Sequence, residues 1–398
     1  MIAATALAEA GRDPFGAARE AAAIARAAAA ATDRDGAFPQ AGMDALRRTG
    51  LLGLIVPVEL GGYGATYATA IEIAQILSGA CLSTSMLWSM HCQQVAILVD
   101  HGPSPLREAL LRRVAAGDLL IASVTSEPTK GGHLLSAMAA LERTDDGFAI
   151  DREAPVVTAG MQADGLLITM RRSPEATPSE IVLVYADRDE LQRTEAGGWH
   201  TMGMRGTSSV PMHLAGRVPA DRLVDPEGGF RRLAVTTMIP AGHLMWTACW
   251  LGAAKEAYRQ LMHVLRTPEL RRGYPLKSDL YAERIARVRL DIDLVEALLL
   301  AVAADYERLR ATHGTRHEPF EDYAFNIRLN ELKVAAAERL FAAVDAIVQL
   351  AGLRFGYRVQ DETTIERIFR DLRSASLMFA NDRLLVTNGK FALVDASL

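Results

Sequence analysis

Nine apolar residues, spaced alternately four and three apart, constrain this chain more than any other feature. Tyr281, Ile285, Val288, Ile292, Val295, Leu299, Val302, Tyr306 and Leu309 form a seam that repeats every 3.5 residues. That is the period of a long helix lying against near-parallel neighbours. The seam belongs to a run from Gly229 onward that reads as four helical pieces. Breaks fall at Thr267–Pro268, around His313–Pro319 and at Gly352–Tyr357. Four such pieces of roughly 25–35 residues are best satisfied together as a four-helix bundle.

The earlier chain divides in two. Residues 15–31, rich in Ala and Arg, and the stretch Phe38 to Arg48 read as helices. Tyr67 to Leu77 and Ser85 to Val99 read as more buried ones, after a glycine-rich turn, LGGYGA, at 60–65. Near Leu119 the period changes. IASVTSEP, FAIDREAPVVTAG, GLLITMRR and EIVLVYAD are short β-rich runs set off by Gly, Pro, Asp and Ser. VPADRLVDPEGG at 218–229 reads as a linker. At 398 residues the chain exceeds the size at which one core stops growing. We therefore expect an α+β protein of three parts: an N-terminal α-helical domain over 1–118, a central β-barrel or sheet domain over 119–228, and a C-terminal four-helix bundle over 229–398.

Composition narrows the function. A formal net charge of −5 without basic runs argues against nucleic acid as a partner. Cys81, Cys92 and Cys249 lie far apart with no CxxC pair, which suits reduced thiols in a cytoplasm. Arg12, Arg19 and Arg26 interrupt the alanine-rich start, which argues against a signal peptide, and no run has the apolar length of a membrane span. No GxGxxG follows a strand, and GxxxxGK[ST], GxSxG and HExxH are missing. Rossmann, P-loop and metal chemistry are set aside on that basis.

Six segments then follow one another: LGLIVPVELGGYG (52–64), VTSEPTKGG (124–132), VVTAG (156–160), MGMRGTSS (202–209) with VPADRLV (218–224), VQLAGLRFGY (348–357) and ERIFRDLR (366–373). In this order they resemble the LGLxxPxEyGGxG, TEPGAGSD, WITNG, GxRGxxS…VPxxxLL, QxxGGxGY and ERxxRDxR segments of the acyl-CoA dehydrogenase family. The resemblance runs from about residue 40 to the C-terminus. It implies a flavin, FAD or alternatively FMN, and a homotetramer or homodimer whose 348–357 turn completes a neighbour's site. Carried over residue by residue, it places Ser123, Thr125, Ser126, Gly131, Gly132, Val157 and Thr158 at the flavin, with Thr158 near N5. It places Arg272, beside Arg271, at the pyrophosphate, Gln349 and Gly352 in the turn, and Asn381 and Arg383 at the adenosine half. Taken alone, each hydroxyl equally suits a capped turn or a satisfied strand end, the glycines a hairpin, and the paired arginines solvent.

The departures bear on the reaction. The family's proton-abstracting glutamate follows RDxR; here that run is SLMFANDR (376–383), with Phe379 at the position. Some members carry it on the first bundle helix; here IPAGHLMW (239–246) has Gly242 there, followed by His243. Neither Phe nor Gly accepts a proton. His133 also replaces the aspartate of TEPGAGSD. The first reading is a reduced-flavin-dependent monooxygenase of the same fold, forming a C4a-(hydro)peroxide with O2 as co-substrate, served by a separate flavin reductase. It would oxygenate a small apolar, aromatic or heteroatom-bearing molecule. Trp246, Leu377, Met378 and Phe379 would give the water-excluding wall. His91, Ser123, Thr158 and His243 would act as catalytic hydrogen-bond donors, although His91 equally suits a histidine satisfied within a helical core. The second reading is a thioester dehydrogenase with a relocated base, Asp382 or Glu127. The third is a flavin-binding protein without catalysis. The first is favoured over the second, and both over the third.

Overall fold

The computed structural model describes residues 12–128, 133–226 and 228–395. Helix α1 (Pro14–Asp35) is opened by Asp13, whose side chain accepts the Phe15 amide, and closed by Gly36 at φ 62°. Its buried face is alanine, at Ala18, Ala21, Ala22, Ala25 and Ala29, so neighbouring backbone approaches closely. Helices α2 (Gln40–Arg48), α3 (Tyr67–Ser78), α4 (Leu82–His101) and α5 (Leu106–Ala115) complete this part. Helix α4 is buried on almost every side, which is why its sequence shows no polar stripe.

Two four-stranded sheets follow. The first holds β1 (Ile121–Val124), β4 (Gly165–Arg171), β5 (Ile181–Asp187) and β8 (Leu223–Val224), in the order β1-β4-β5-β8. Strand β1 runs parallel to β4; the other pairs are antiparallel. The second holds β2 (Glu142–Arg143), β3 (Gly147–Thr158), β6 (Leu191–Glu195) and β7 (Ser209–Pro219), in the order β2-β3-β7-β6, antiparallel throughout. Leu166, Ile168, Met170, Val182 and Val184 face the second sheet's core, while Leu167, Ile181, Leu183 and Tyr185 face the helices. The first sheet is covered on both sides, so GLLITM and IVLVYA are apolar at successive positions rather than alternate ones. Two features differ from expectation. Strand β7, not among the expected runs, pairs with β3 from Gly147↔Pro219 to Thr158↔Ser209 across a bulge between Ala154 and Val157. The stretch expected as a linker contains β8, which pairs with Leu183 and Val184.

The last part opens with α6 (Gly229–Leu233) and a π-helical turn, Ala234–Met238. Then come α7 (Ile239–Arg266), α8 (Asp279–His313), α9 (Tyr323–Gly352), α10 (Ile365–Leu372) and α11 (Asn381–Ala392). On α8 the seam residues Val288, Ile292, Val295, Leu299, Val302 and Tyr306 are buried, with Tyr281, Ile285 and Leu309 packed at its margins. Helix α7 packs against α8 and α9 on one side and α3 and α4 on the other. The expected fourth long helix is two short ones. Between α10 and α11 the chain turns, and Phe379 adopts φ 50°. Among the described residues no helix is long and apolar enough to cross a membrane.

Candidate active site

Strain marks the place. Among the described residues, the non-glycine residues with left-handed φ are Ala159, Met204, Ser208 and Phe379. Such backbone costs about 1–3 kcal/mol per residue and gathers at functional sites. Ala159 follows Thr158, and Met204 and Ser208 bracket Thr207. The loop that carries Met204 is pinned to α10, where the Asp371 carboxylate accepts the Met204 amide at 2.5 Å. Burial raises the Asp371 carboxyl to about 6. The pin ties the β3–β7 end to the segment that holds Phe379.

The hydroxyls there are ordered by their protons. Thr207 Oγ1 lies 2.9 Å from the Met204 carbonyl oxygen, which also accepts Trp199 Nε1 at 2.9 Å and the Thr207 amide at 3.1 Å. Thr207 Oγ1 is 2.9 Å from Ser209 Oγ, which is in turn 2.9 Å from Thr158 Oγ1. With the Thr207 proton on the carbonyl, Ser209 donates to Thr207 and Thr158 to Ser209, so Thr158 is left an acceptor; with it on Ser209, the chain reverses and Thr158 keeps a proton to donate.

On the helical side Lys333 governs the Phe379 turn. Its side chain is buried, and it donates to the carbonyls of Ala375 and Phe379, each at 3.0 Å, and to Asn381 Oδ1 at 2.7 Å. Three acceptors satisfy its three protons. Burial lowers its pKa to about 8, with Glu338 opposing the shift. The Phe379 ring meets the His243 ring edge-on at 5.6 Å, and Trp246 lies 5.9 Å from the same imidazole. His243 is buried, and its Nδ1 has no hydrogen-bond partner among the described residues. Burial and the nearby Lys333 ammonium hold its pKa down to about 3, so the ring is neutral.

Several expected contacts are engaged elsewhere. His91 is fully buried; its Nε2 contacts the Leu52 carbonyl at 3.1 Å and its Nδ1 accepts the Ile121 amide at 3.0 Å. Both nitrogens are consumed, and burial lowers its pKa to about 4, so it clamps α4 to β1 and offers nothing to a ligand. The Ser126 hydroxyl is closed onto the Val156 backbone in both directions. The Val157 side chain lies in the core between the sheets. Asn381 accepts from Lys333 and donates to Glu338. Leu377, expected in the pocket wall, is 71% exposed. Ser123 and Thr125 are half-buried on and just after β1, their hydroxyls without partners among the described residues. Gln349 is exposed and donates to Asp345, Gly352 sits at φ 69°, and Arg383 is exposed. Arg272 lines an open cleft with Arg271 and Lys277, none of them in an ion pair among the described residues. Gly131 and Gly132 lie outside the described residues.

The family model described as acyl-CoA dehydrogenase, N-terminal domain, matches residues 16–118, and that for the C-terminal domain matches residues 244–382. The chain belongs to the acyl-CoA dehydrogenase superfamily. Cyclohex-1-ene-1-carbonyl-CoA dehydrogenase of Geobacter metallireducens is 27% identical over 51% of this chain and 54% of its own length. Dibenzothiophene monooxygenase of Rhodococcus qingshengii is 28% identical over 64% of this chain and 63% of its own. The matches thus span between half and two thirds of these relatives. FMN-bound TdsC from Paenibacillus sp. A11-2 superposes with a TM-score of 0.83 at 21% identity, covering 95% of this chain and 96% of that one, which shows a shared fold.

Within this acyl-CoA dehydrogenase fold, neither position where the resemblance would put the base can hold one as the chain stands. A Cβ on Gly242 would lie 2.6 Å from Gln93 Nε2 and 3.3 Å from the Trp246 ring, so that space is filled. Asp382 does not return to the Phe379 position by helical periodicity, because α11 begins only at Asn381; it is exposed. Glu127 is buried in an ion pair with Arg152 and accepts the amides of Met138 and Ala139. The hydroxyls of Ser123, Thr125 and Thr158, and the guanidinium groups of Arg271 and Arg272, which are unpaired among the described residues, are groups of the kind that a flavin's polar ring edge and phosphate take. Sequence reasoning missed Ser209 and Lys333. Ser209 ends the MGMRGTSS segment, where nothing in the sequence marks it apart from Ser208. Lys333, a lone cation in helical register with buried Leu329, Ala336, Ala337 and Leu340, was detectable as a charge on an apolar face.

Proposed function

We propose that this chain is a reduced-flavin-dependent monooxygenase that oxygenates a small aromatic or otherwise apolar, heteroatom-bearing substrate. The observation that carries the reading is the replacement of a carboxylate by Phe379, held in a strained turn by Lys333. An aromatic ring there excludes water where α-proton abstraction would need a base. Bound reduced flavin, FAD or FMN, would supply the electrons that activate O2. The chain's residues would do the rest: Ser123, Thr125 and Thr158 orient the ring, Arg272 takes phosphate, and Trp246, Met378 and Phe379 keep the reacting face dry. A separate reductase would supply the reduced flavin, and buried thiols at Cys81, Cys92 and Cys249 suit a cytoplasmic setting. Monooxygenases among the similar proteins support the reading, and dehydrogenases among them supply its competitor.

One experiment separates the two. Anaerobic mixing of the oxidised flavin-loaded protein with a panel of acyl-CoAs should leave the visible flavin absorbance unchanged. Reduced flavin, oxygen and aromatic or thioether candidates should give an oxygenated product. Rapid bleaching by any thioester would overturn the proposal.

A further inference from the structure

The segment that carries Phe379 is bolted at both ends by groups other than Lys333. At one end the Asp371 carboxylate accepts the Met204 amide. At the other, Asn330 on α9 donates to Asn388 on α11 at 2.8 Å, and Asn388 donates to the Ile327 carbonyl at 3.1 Å. Between these bolts the Lys333 ammonium spends one proton each on the Ala375 carbonyl, the Phe379 carbonyl and Asn381 Oδ1. It does so around a φ of 50° at Phe379, a backbone that L side chains seldom adopt.

The charged groups around the ammonium leave it in charge of the turn. Glu338, on its own helix, accepts Asn381 Nδ2 at 3.1 Å. From α7 it meets the neutral His243 and, at 5.8 Å, the centre of the Trp250 ring. On α8, Asp291 and Asp305 pair with Arg339 and Arg328. Arg373 after α10 and Asp382 and Arg383 on α11 are exposed. A neutral amine has two protons and a lone pair, so one of the three acceptors would lose its donor.

We propose that Lys333 is a positioning residue for oxygen transfer, whose protonated form keeps the Phe379 ring in place and whose neutral form loosens the turn and admits water. The inference rests on the monooxygenase reading, in which that ring keeps the reacting face dry. In the closed turn one atom of O2 goes to the substrate and the other leaves as water. In the loosened turn O2 takes two electrons from the reduced flavin and two protons, and leaves as hydrogen peroxide. Burial lowers the Lys333 pKa to about 8, within the range of ordinary assays. The neutral share of such an amine rises from about one-tenth at pH 7 to about nine-tenths at pH 9.

Amide hydrogen exchange of the full-length flavin-loaded protein, corrected for its intrinsic pH dependence, tests the clamp without turnover. Peptides spanning 374–381 should exchange about fivefold faster at pH 9 than at pH 7, with α7 peptides unchanged. Lys333→Met, which keeps the stem and loses every donor, should exchange fast at both. Lys333→Gln, whose amide keeps donors that do not titrate, should give a flat profile. With reduced flavin, oxygen and an oxygenated substrate, the peroxide share of the oxygen consumed should rise about threefold or more over the same range. In Lys333→Gln that share should not change with pH. A flat wild-type exchange profile, or a peroxide share that rises equally in Lys333→Gln, would overturn the inference. The wild-type profile needs no variant to fold. Bleaching by acyl-CoAs would instead remove the monooxygenase reading, while the exchange profile would still decide the clamp.

Discussion

The Thr158 hydroxyl shows how a residue's chemistry is fixed by partners far away in sequence. When Thr207 gives its proton to the carbonyl of a strained residue, Met204, Ser209 donates to Thr207 and Thr158 to Ser209, which leaves Thr158 an acceptor. Flavin N5 carries a hydrogen when reduced and only a lone pair when oxidised. If Thr158 meets N5, as the resemblance implies, the acceptor suits the reduced form. The wild-type protein should therefore bind reduced flavin more tightly than oxidised flavin. Ser209→Ala frees the Thr158 proton to serve oxidised N5, and should shift the affinity ratio toward oxidised flavin by about fivefold to tenfold. Anaerobic fluorescence titration of both redox states checks it; an unchanged ratio counts against the wiring. Thr158 was legible from VVTAG. The direction of its proton was not, because that depends on which neighbour is closed onto backbone.

Among the elements, those with a clear period were legible and those set by side-chain donors were not. The α8 seam appears in the spacing of its residues, and the glycine turn before α3 in its composition. The break between α10 and α11 has no Gly or Pro in SLMFAND, a sequence that propensity alone would leave helical. Lys333, reaching across from α9, takes the carbonyls that a continuing helix would have used. His91 likewise joins α4 to the start of β1 by donating and accepting along one ring. That joint has a pH dependence. The folded His91 titrates at about 4 and the unfolded one near 6.5. The unfolded chain thus binds the proton first on acidification, and the contribution is full above about pH 6.5 and fades as pH falls toward 4. It amounts to about 3 kcal/mol at most. Asp371, raised to about 6, acts in the opposite sense between about pH 6 and 4, so total stability is a poor readout. The comparison to make is between wild type and His91→Asn, in urea midpoints at pH 7.5 and pH 5. The variant should be less stable at both, and its loss should be smaller at pH 5. A loss independent of pH would show that the imidazole titrates freely in the folded chain.

At the scale of the whole molecule, a share of the apolar surface left uncovered lies on and around the last helices. Leu353, Tyr357 and Val359 follow α9 with 70% or more of their surface exposed, and Leu377 stands out equally from the Phe379 turn. Leu385, Val386, Leu393 and Val394 extend the exposure along and beyond α11. Exposed apolar side chains at these positions suit an interface with a second copy of the chain. The expected pocket-wall residue Leu377 and the 348–357 turn both fall within it, so a second copy would cover the same segments that the resemblance assigns to a flavin site. We expect a homotetramer or homodimer at micromolar concentration by light scattering. Replacing Leu353 and Val359 by Asp should shift the protein toward monomer with its helical circular dichroism intact. If the neighbour's turn completes the site, flavin affinity should fall with assembly, by about tenfold or more. A monomeric variant that keeps wild-type flavin affinity would confine the whole site to one subunit, and would leave Arg272, Ser123 and Thr158 to hold the flavin without help.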